Sequence, residues 1–136
     1  MISNWQFNHI GIATRSIEAT CNLYANMGYS RSEIYIDEFQ KVKIQFLTHM
    51  NSPMIELIEP ISSISPISKI LDKNGVTPYH ICYEVIDFEL SINNLTKNNF
   101  IKLSKPLNAV AFNNRRIIFL YNTSFGLIEL LEHITI

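Results

Sequence analysis

The chain has 136 residues, with 11 Lys and Arg against 12 Asp and Glu, a formal net charge of -1, 47% hydrophobic and 17% charged residues. A chain of this length fits one compact domain and buries roughly 68% of its unfolded surface, so neither a disulfide nor a metal is needed merely to hold a core. The balanced, scattered charges exclude an electrostatic footprint for a polyanion, and with it nucleic acid or an anionic membrane as first-choice partner. No apolar run reaches 18 positions, and the start Met1-Ile2-Ser3-Asn4-Trp5-Gln6 has neither a basic nor a hydrophobic signal region, so no membrane span and no secretory signal are expected. Cys21 and Cys82 sit in apolar segments without a Cys-x-x-Cys pattern and read as buried reduced thiols of a cytoplasmic protein.

The first predicted element is a half-buried strand, in which Ile10 and Ile12 alternate with His9, Gly11 and Ala13. Ser16 offers an N-cap oxygen to a helix whose face is Ile17, Cys21 and Tyr24, and Gly28 closes that helix. Short strands follow at Ser32 to Tyr35, Lys41 to Thr48 and Met54 to Glu59, with the turn Asn51-Ser52-Pro53 between the last two. Ser65-Pro66 is an N-cap followed by proline at the first helical position, so a short helix with Ile67, Ile70 and Leu71 on one side runs to Gly75. A second strand alternates His80, Cys82 and Glu84 with Ile81, Tyr83 and Val85, and Asp87 then caps a helix with Phe88, Ile92 and Leu95 on one face. Strands at Lys102 to Ser104, Arg115 to Tyr121 and Leu127 to Glu132 complete the chain.

The order strand, helix, three strands therefore occurs twice, and the residues repeat with it. His9 aligns with His80, Ile17 with Phe88, Cys21 with Ile92 and Tyr29 with Phe100 without a gap. Phe46 precedes Glu56 by ten positions, as Phe119 precedes Glu129. The expected organisation is a single domain of two tandem modules, residues 4–60 and 78–136, joined by a connector at 61–77.

One His and one Glu recur at equivalent places in the two modules. Glu56 and Glu129 are flanked on both sides by Ile and Leu, and a carboxylate desolvated in that way costs several kcal/mol unless a partner compensates it. If the halves pair about a pseudo-twofold axis, His9, Glu56, His80 and Glu129 meet at one point. Two imidazoles and two carboxylates suit a divalent ion such as Zn, Ni, Co, Mn or Fe, whose charge two carboxylates cancel. Gly11, Ala13 and Cys82 are small and leave room for a substrate. His49 and His133 have no counterpart in the other repeat and read as surface residues. Glu59 and Glu132 repeat but fall on the opposite strand face, where solvation is the expectation. Glu84 shares the His80 face and is a candidate for supporting a ligand or lining a polar cavity. Arg15, Arg31, Lys43, Arg115 and Arg116 are scattered cations with no single one singled out as a substrate anchor.

The segments Phe7-Asn8-His9-Ile10-Gly11-Ile12-Ala13, Ile55-Glu56-Leu57-Ile58-Glu59-Pro60, Tyr79-His80-Ile81-Cys82-Tyr83-Glu84-Val85 and Gly126-Leu127-Ile128-Glu129-Leu130 resemble the vicinal oxygen chelate superfamily over essentially the whole chain. They look like short bacterial glyoxalase I and methylmalonyl-CoA epimerase chains. The resemblance implies an α+β fold, two βαβββ modules forming a cupped sheet around one metal, with His9, Glu56, His80 and Glu129 as ligands and Glu129 or Glu56 as the base. It implies a small-molecule substrate, a homodimer, and nickel, cobalt or zinc as the ion. In that family the metal chelates vicinal oxygens and stabilises the charge formed when a proton is removed beside a carbonyl.

Two departures bear on the reaction. Glutathione-dependent glyoxalases commonly carry Arg where this chain has Ala13. Epimerases commonly carry Glu-Gln-Gly where it has Phe39-Gln40-Lys41, with Glu38 one position early. The two acidic ligand candidates favour a glyoxalase I type lyase acting on a 2-oxoaldehyde-thiol hemithioacetal, with a methylmalonyl-CoA epimerase-like isomerase as the alternative. A metal-free cup for a small molecule, a dioxygenase, and a purely structural role for both His–Glu pairs are further readings.

Overall fold

The structure, a computed structural model, describes residues 4–134. It is an α+β fold in which the first half follows the order strand, helix, three strands, and the second does the same with the first strand after its helix replaced by two short ones. The first half contains β1 (Trp5–Ala13), α1 (Ile17–Ala25), β2 (Ser30–Asp37), β3 (Val42–Thr48) and β4 (Met54–Pro60). Helix α2 (Pro66–Asn74) connects to β5 (Thr77–Val85), α3 (Phe88–Lys97), β6 (Ile101–Lys102), β7 (Leu107–Ala109), β8 (Arg115–Asn122) and β9 (Gly126–Glu132). Two compact units result, one of residues 9–79 and one of the described residues before 9 together with those from 80 onward, so the division falls inside β1 and β5.

In the unit of residues 9–79 the strands run in the order β2-β3-β4-β1. β1 and β4 are parallel, with Gly11 opposite Glu56, and β3 is antiparallel to β4, with Phe46 opposite Glu56. The alternation in β1 works as the sequence predicts: Ile12 packs with Ile17, Cys21, Leu47, Ile55 and Leu57 beneath α1, and Ile10 leans on the same cluster. His9, Gly11 and Ala13 take the face that α1 does not cover.

The second unit repeats this plan with strand order β5-β9-β8-β6 and β7 also paired to β8. β5 and β9 are parallel, Cys82 lies opposite Glu129, and Phe119 of β8 lies opposite Glu129. Val85, Ile118, Leu120, Ile128 and Leu130 face α3 through Phe88, Ile92 and Leu95. Trp5, from the start of β1, belongs to this unit: its ring lies 5.7 Å from that of Tyr83 and its indole N–H donates to Ser91 Oγ at 3.1 Å.

Local signals set the helix ends. Ser16 accepts from the Ala19 amide, Asp87 from Leu90 and Ser65 from Ile67, and each satisfies an amide that the first helical turn leaves without a partner. Gly28 (φ +95°) ends α1 in a Schellman arrangement, with Tyr29 N–H on the Tyr24 carbonyl and Gly28 N–H on Ala25. Asn99 (φ +69°) does the same after α3, with Phe100 N–H on Leu95 and Asn99 N–H on Thr96. Asparagine is one of the few side chains that tolerates the left-handed region, so it replaces glycine at the equivalent step of the repeat.

The strand expected at Lys102 to Ser104 is not continuous. β6 ends at Lys102, Leu103 N–H makes one more hydrogen bond to the Phe119 carbonyl at 2.9 Å, and strand pairing to β8 resumes at Leu107, after Ser104-Lys105-Pro106. Proline has no amide hydrogen to give the ladder. A single 3-10 turn at Val110–Phe112 and two left-handed asparagines, Asn113 and Asn114, then lead into β8.

Candidate functional site

β1 and β4 carry the first His–Glu pair. Because Gly11 is the register partner of Glu56, a glycine rather than a bulky side chain neighbours the carboxylate, and His9 lies two residues along the same face. His9 Nε2 and Glu56 Oε1 are 3.3 Å apart, and the two residues are 0% and 4% exposed. β5 and β9 build the second pair in the same way. His80 Nε2 and Glu129 Oε1 are 3.1 Å apart, with residue exposures of 4% and 2%.

The phenylalanines that mark the repeat belong to the site. Phe46 sets its edge against the His9 ring at 6.1 Å between centroids, and Phe119 does so against His80 at 5.3 Å. Each ring lies on the face of its own glutamate and closes one side of the imidazole, which limits the orientations the histidine can take. The ten-residue interval from Phe to Glu was visible in the sequence as a repeat marker. Its meaning, a ring set edge-on beside a ligand candidate, depends on the antiparallel register of β3 with β4 and of β8 with β9.

The donor chemistry of each pair fits a metal ion. Imidazole nitrogen and carboxylate oxygen bind divalent ions at roughly 2.0–2.2 Å, and adjacent ligands of an octahedral centre then lie about 3 Å apart. The separations of 3.3 and 3.1 Å match that edge.

The other sequence candidates fall away from these pairs. Glu59 is not simply solvated: Oε1 accepts the Ile17 amide at 2.8 Å, at the N-terminus of α1, and Oε2 is 3.8 Å from Lys43 Nζ. Its repeat counterpart Glu132 instead takes Arg116, with Nη2 to Oε2 at 2.7 Å and Nε to both oxygens at 3.2 Å. Those charge-assisted hydrogen bonds hold the Glu132 carboxyl below the usual carboxylate range, and the same contacts raise the Arg116 guanidinium. His49 is exposed, as expected, and its ring lies 5.0 Å from Tyr29. His133 is half-buried and engaged, since Nδ1 pairs with Glu84 Oε2 at 2.5 Å, while Arg115 Nη1 lies 3.3 Å from Glu84 Oε1.

The turn that departs from the epimerase pattern is also ordered. Asp37 is buried and accepts both the backbone amide and the side-chain amide of Gln40 at 2.9 Å, and Lys41 takes φ +60°. Phe39, in the place of the motif's acid, is 78% exposed.

Comparison with known proteins agrees with this architecture. Residues 8–119 match the glyoxalase/bleomycin resistance protein/dioxygenase superfamily. The mitochondrial methylmalonyl-CoA epimerase of Dictyostelium discoideum is 26% identical over 132 residues, covering 93% of this chain and 78% of the relative. A hypothetical protein from Bacillus halodurans superimposes with a TM-score of 0.87 at 28% identity, over 98% of both chains. A variant of Streptomyces coelicolor methylmalonyl-CoA epimerase, in complex with 2-nitronate-propionyl-CoA, superimposes with a TM-score of 0.86 at 25% identity, over 98% of this chain and all of the other. A duplicated βαβββ module with a buried His–Glu pair on the face of each sheet opposite its helix, together with the family match, leads to one assignment: the chain belongs to the glyoxalase/bleomycin resistance protein/dioxygenase, or vicinal oxygen chelate, superfamily.

Proposed function

We propose that this chain is a metal-dependent isomerase of the methylmalonyl-CoA epimerase type, moving a proton on the carbon between a thioester and a carboxylate. The observation that carries the reading is the duplicated, buried His–Glu pair with a phenylalanine edge on each imidazole. His9, Glu56, His80 and Glu129, all buried, are a donor group suited to one divalent ion, which in this reading is nickel, cobalt or zinc. The relatives named as epimerases support this substrate class over the hemithioacetal of the glyoxalase I reading, which the two acidic ligands alone favoured.

When bound, a divalent ion draws electron density from a chelated carbonyl and lowers the cost of removing the neighbouring proton. His9 and His80 hold their nitrogens toward the glutamate of the same module, and Phe46 and Phe119 keep water from one side of each ring. Glu56 and Glu129 are the proton carriers. Inversion at carbon needs two of them, and the chain supplies a repeat-related pair, one per module, in place of the acid missing at Phe39. The buried thiols of Cys21 and Cys82 fit a reducing cytoplasm. Among the described residues no helix is long and apolar enough to cross a membrane. The reading includes a homodimer, for which β2, paired to β3 on one side and at the end of its unit's sheet, offers its outer edge.

The deciding experiment is paired. Protein loaded with nickel, cobalt or zinc is incubated in deuterium oxide with methylmalonyl-CoA, and separately with methylglyoxal plus glutathione. Deuterium entering the methylmalonyl carbon, and lost in Glu129→Gln and Glu56→Gln, is the expected result. Lactoylthioester formation without exchange at methylmalonyl-CoA refutes the epimerase reading.

A further inference from the structure

We propose that Arg115 is an anion anchor for substrate at the far end of the second unit's sheet face opposite α3, positioned by Glu84 and His133. His80, Cys82 and Glu84 alternate on one face of β5, and the register places Glu129 and Leu131 of β9 and Phe119, Ile117 and Arg115 of β8 on that same face. Arg115, Glu84 and His133 are each four residues from Phe119, His80 and Glu129 respectively. The charged row therefore runs parallel to the His–Glu row, about 13 Å along the strands at roughly 3.3 Å per residue.

The row is built around one carboxylate. Glu84 takes Arg115 Nη1 on Oε1 at 3.3 Å and His133 Nδ1 on Oε2. Arg115 is fixed further by Nη1 on the Glu132 carbonyl and Nε on the Phe112 carbonyl, both at 3.4 Å, with its guanidinium 5.5 Å from the centre of the Phe112 ring. These contacts engage Nη1 and Nε, while Nη2 donates to none of the described residues. A guanidinium held in this way keeps both N–H groups of Nη2 for an oxygen of a carboxylate or phosphate.

The repeat supplies an internal control against a purely structural role. The positions equivalent to Glu84, Arg115 and His133 in the first unit are Ala13, Val42 and Pro60. Ala13 and Val42 are 0% and 4% exposed, and Val42 is the register partner of Pro60. The same corner of the same module is thus built from apolar side chains, which avoid the desolvation that an ion pair there incurs. The fold does not require charge at this place, and one module alone has it.

The ligand is an oxyanion held about 13 Å along the strands from the His80–Glu129 pair, either a phosphate of a coenzyme A carrier or a distal carboxylate. This substrate assignment rests on the epimerase reading, whereas anion binding at Arg115 can be measured without it. The test titrates free coenzyme A and adipate, separately, into wild-type protein, Arg115→Gln, Arg115→Lys and Glu84→Gln, with thermal unfolding followed for each. The expected result is binding of one anion, weakened about tenfold in Arg115→Gln and partly restored in Arg115→Lys, where the charge returns without the planar guanidinium that Glu84 and Phe112 hold. Coenzyme A as the responsive ligand identifies the phosphate, and adipate identifies the carboxylate. Glu84→Gln should weaken binding less than loss of the arginine, because it frees the guanidinium while keeping its charge. Equal binding by folded wild type and Arg115→Gln, or no binding of either anion to wild type, overturns the proposal. If Arg115-dependent binding is found but methylmalonyl-CoA exchanges no proton, the anchor stands and the epimerase reading falls.

Discussion

Glu59 and Glu132 occupy the same position in the two modules but perform different tasks, and the difference can be measured. Glu59 Oε1 accepts the Ile17 amide at 2.8 Å, while Ser16 Oγ serves Ala19. The side chain of Glu59 is 21% exposed and lies on the positive end of the α1 dipole. Glu59→Gln keeps an acceptor but removes the charge, at a cost of about 0.5 kcal/mol. Glu59→Ala also leaves the Ile17 amide without its partner, for a total of about 1–2 kcal/mol, or roughly 4–8 °C in Tm for a chain of this size. Glu132 makes the better-looking contact, a forked pair with Arg116, yet the two side chains are 25% and 40% exposed. An ion pair that open to solvent contributes at most about 1 kcal/mol and is screened by salt. Urea unfolding followed by far-ultraviolet circular dichroism, at low and high salt, should place Glu59→Ala as the most costly of the four variants Glu59→Ala, Glu59→Gln, Glu132→Ala and Glu132→Gln. The Glu132 variants should converge on wild type as salt rises, and Glu59→Ala should retain most of its loss. A Glu132→Ala loss equal to or larger than that of Glu59→Ala would refute the assignment of helix capping to Glu59.

Since Arg116 depresses the folded pKa of Glu132, the stabilisation from this pair is complete above the ordinary carboxylate value and disappears as pH falls through the lowered one. The stability gap between wild type and Glu132→Gln should accordingly close on acidification, measured by urea midpoints from pH 6 downward. Leu57 and Leu130 are repeat equivalents, each 0% exposed beneath its helix, and Leu→Ala at either should cost about 2–5 kcal/mol in chemical unfolding. Metal-free protein should keep its native circular dichroism, because the two apolar clusters do not depend on the ion. Zinc or nickel at a hundredfold excess over Kd should then add about 2.7 kcal/mol, and His9→Ala or Glu129→Gln should abolish that gain in thermal unfolding.

Much of this protein is determined by local pattern in the sequence. Period-two alternation in His9 to Ala13 and His80 to Val85 sets which side chains face a helix, and Ser16, Ser65 and Asp87 begin helices because their oxygens reach amides two or three residues on. The duplicated His and Glu are legible for the same reason: a carboxylate between isoleucine and leucine is costly, and its recurrence marks a use. Where function depends on cross-strand register, sequence spacing alone did not suffice. It took antiparallel pairing to turn Phe46 and Phe119 from repeat markers into rings against the histidines. Glu59 and Glu132, identical by pattern, were separated only by what the tertiary structure brings near them, a helix terminus for one and Arg116 for the other. Glu84 and Arg115 come from β5 and β8 and His133 from just after β9, and no periodicity of a single segment can announce that the Glu84 carboxylate joins them. The sequence determines which faces are apolar and where a buried charge must find a partner, because those are properties of neighbouring residues; which partner it finds is decided by strand register, a property of the folded sheet.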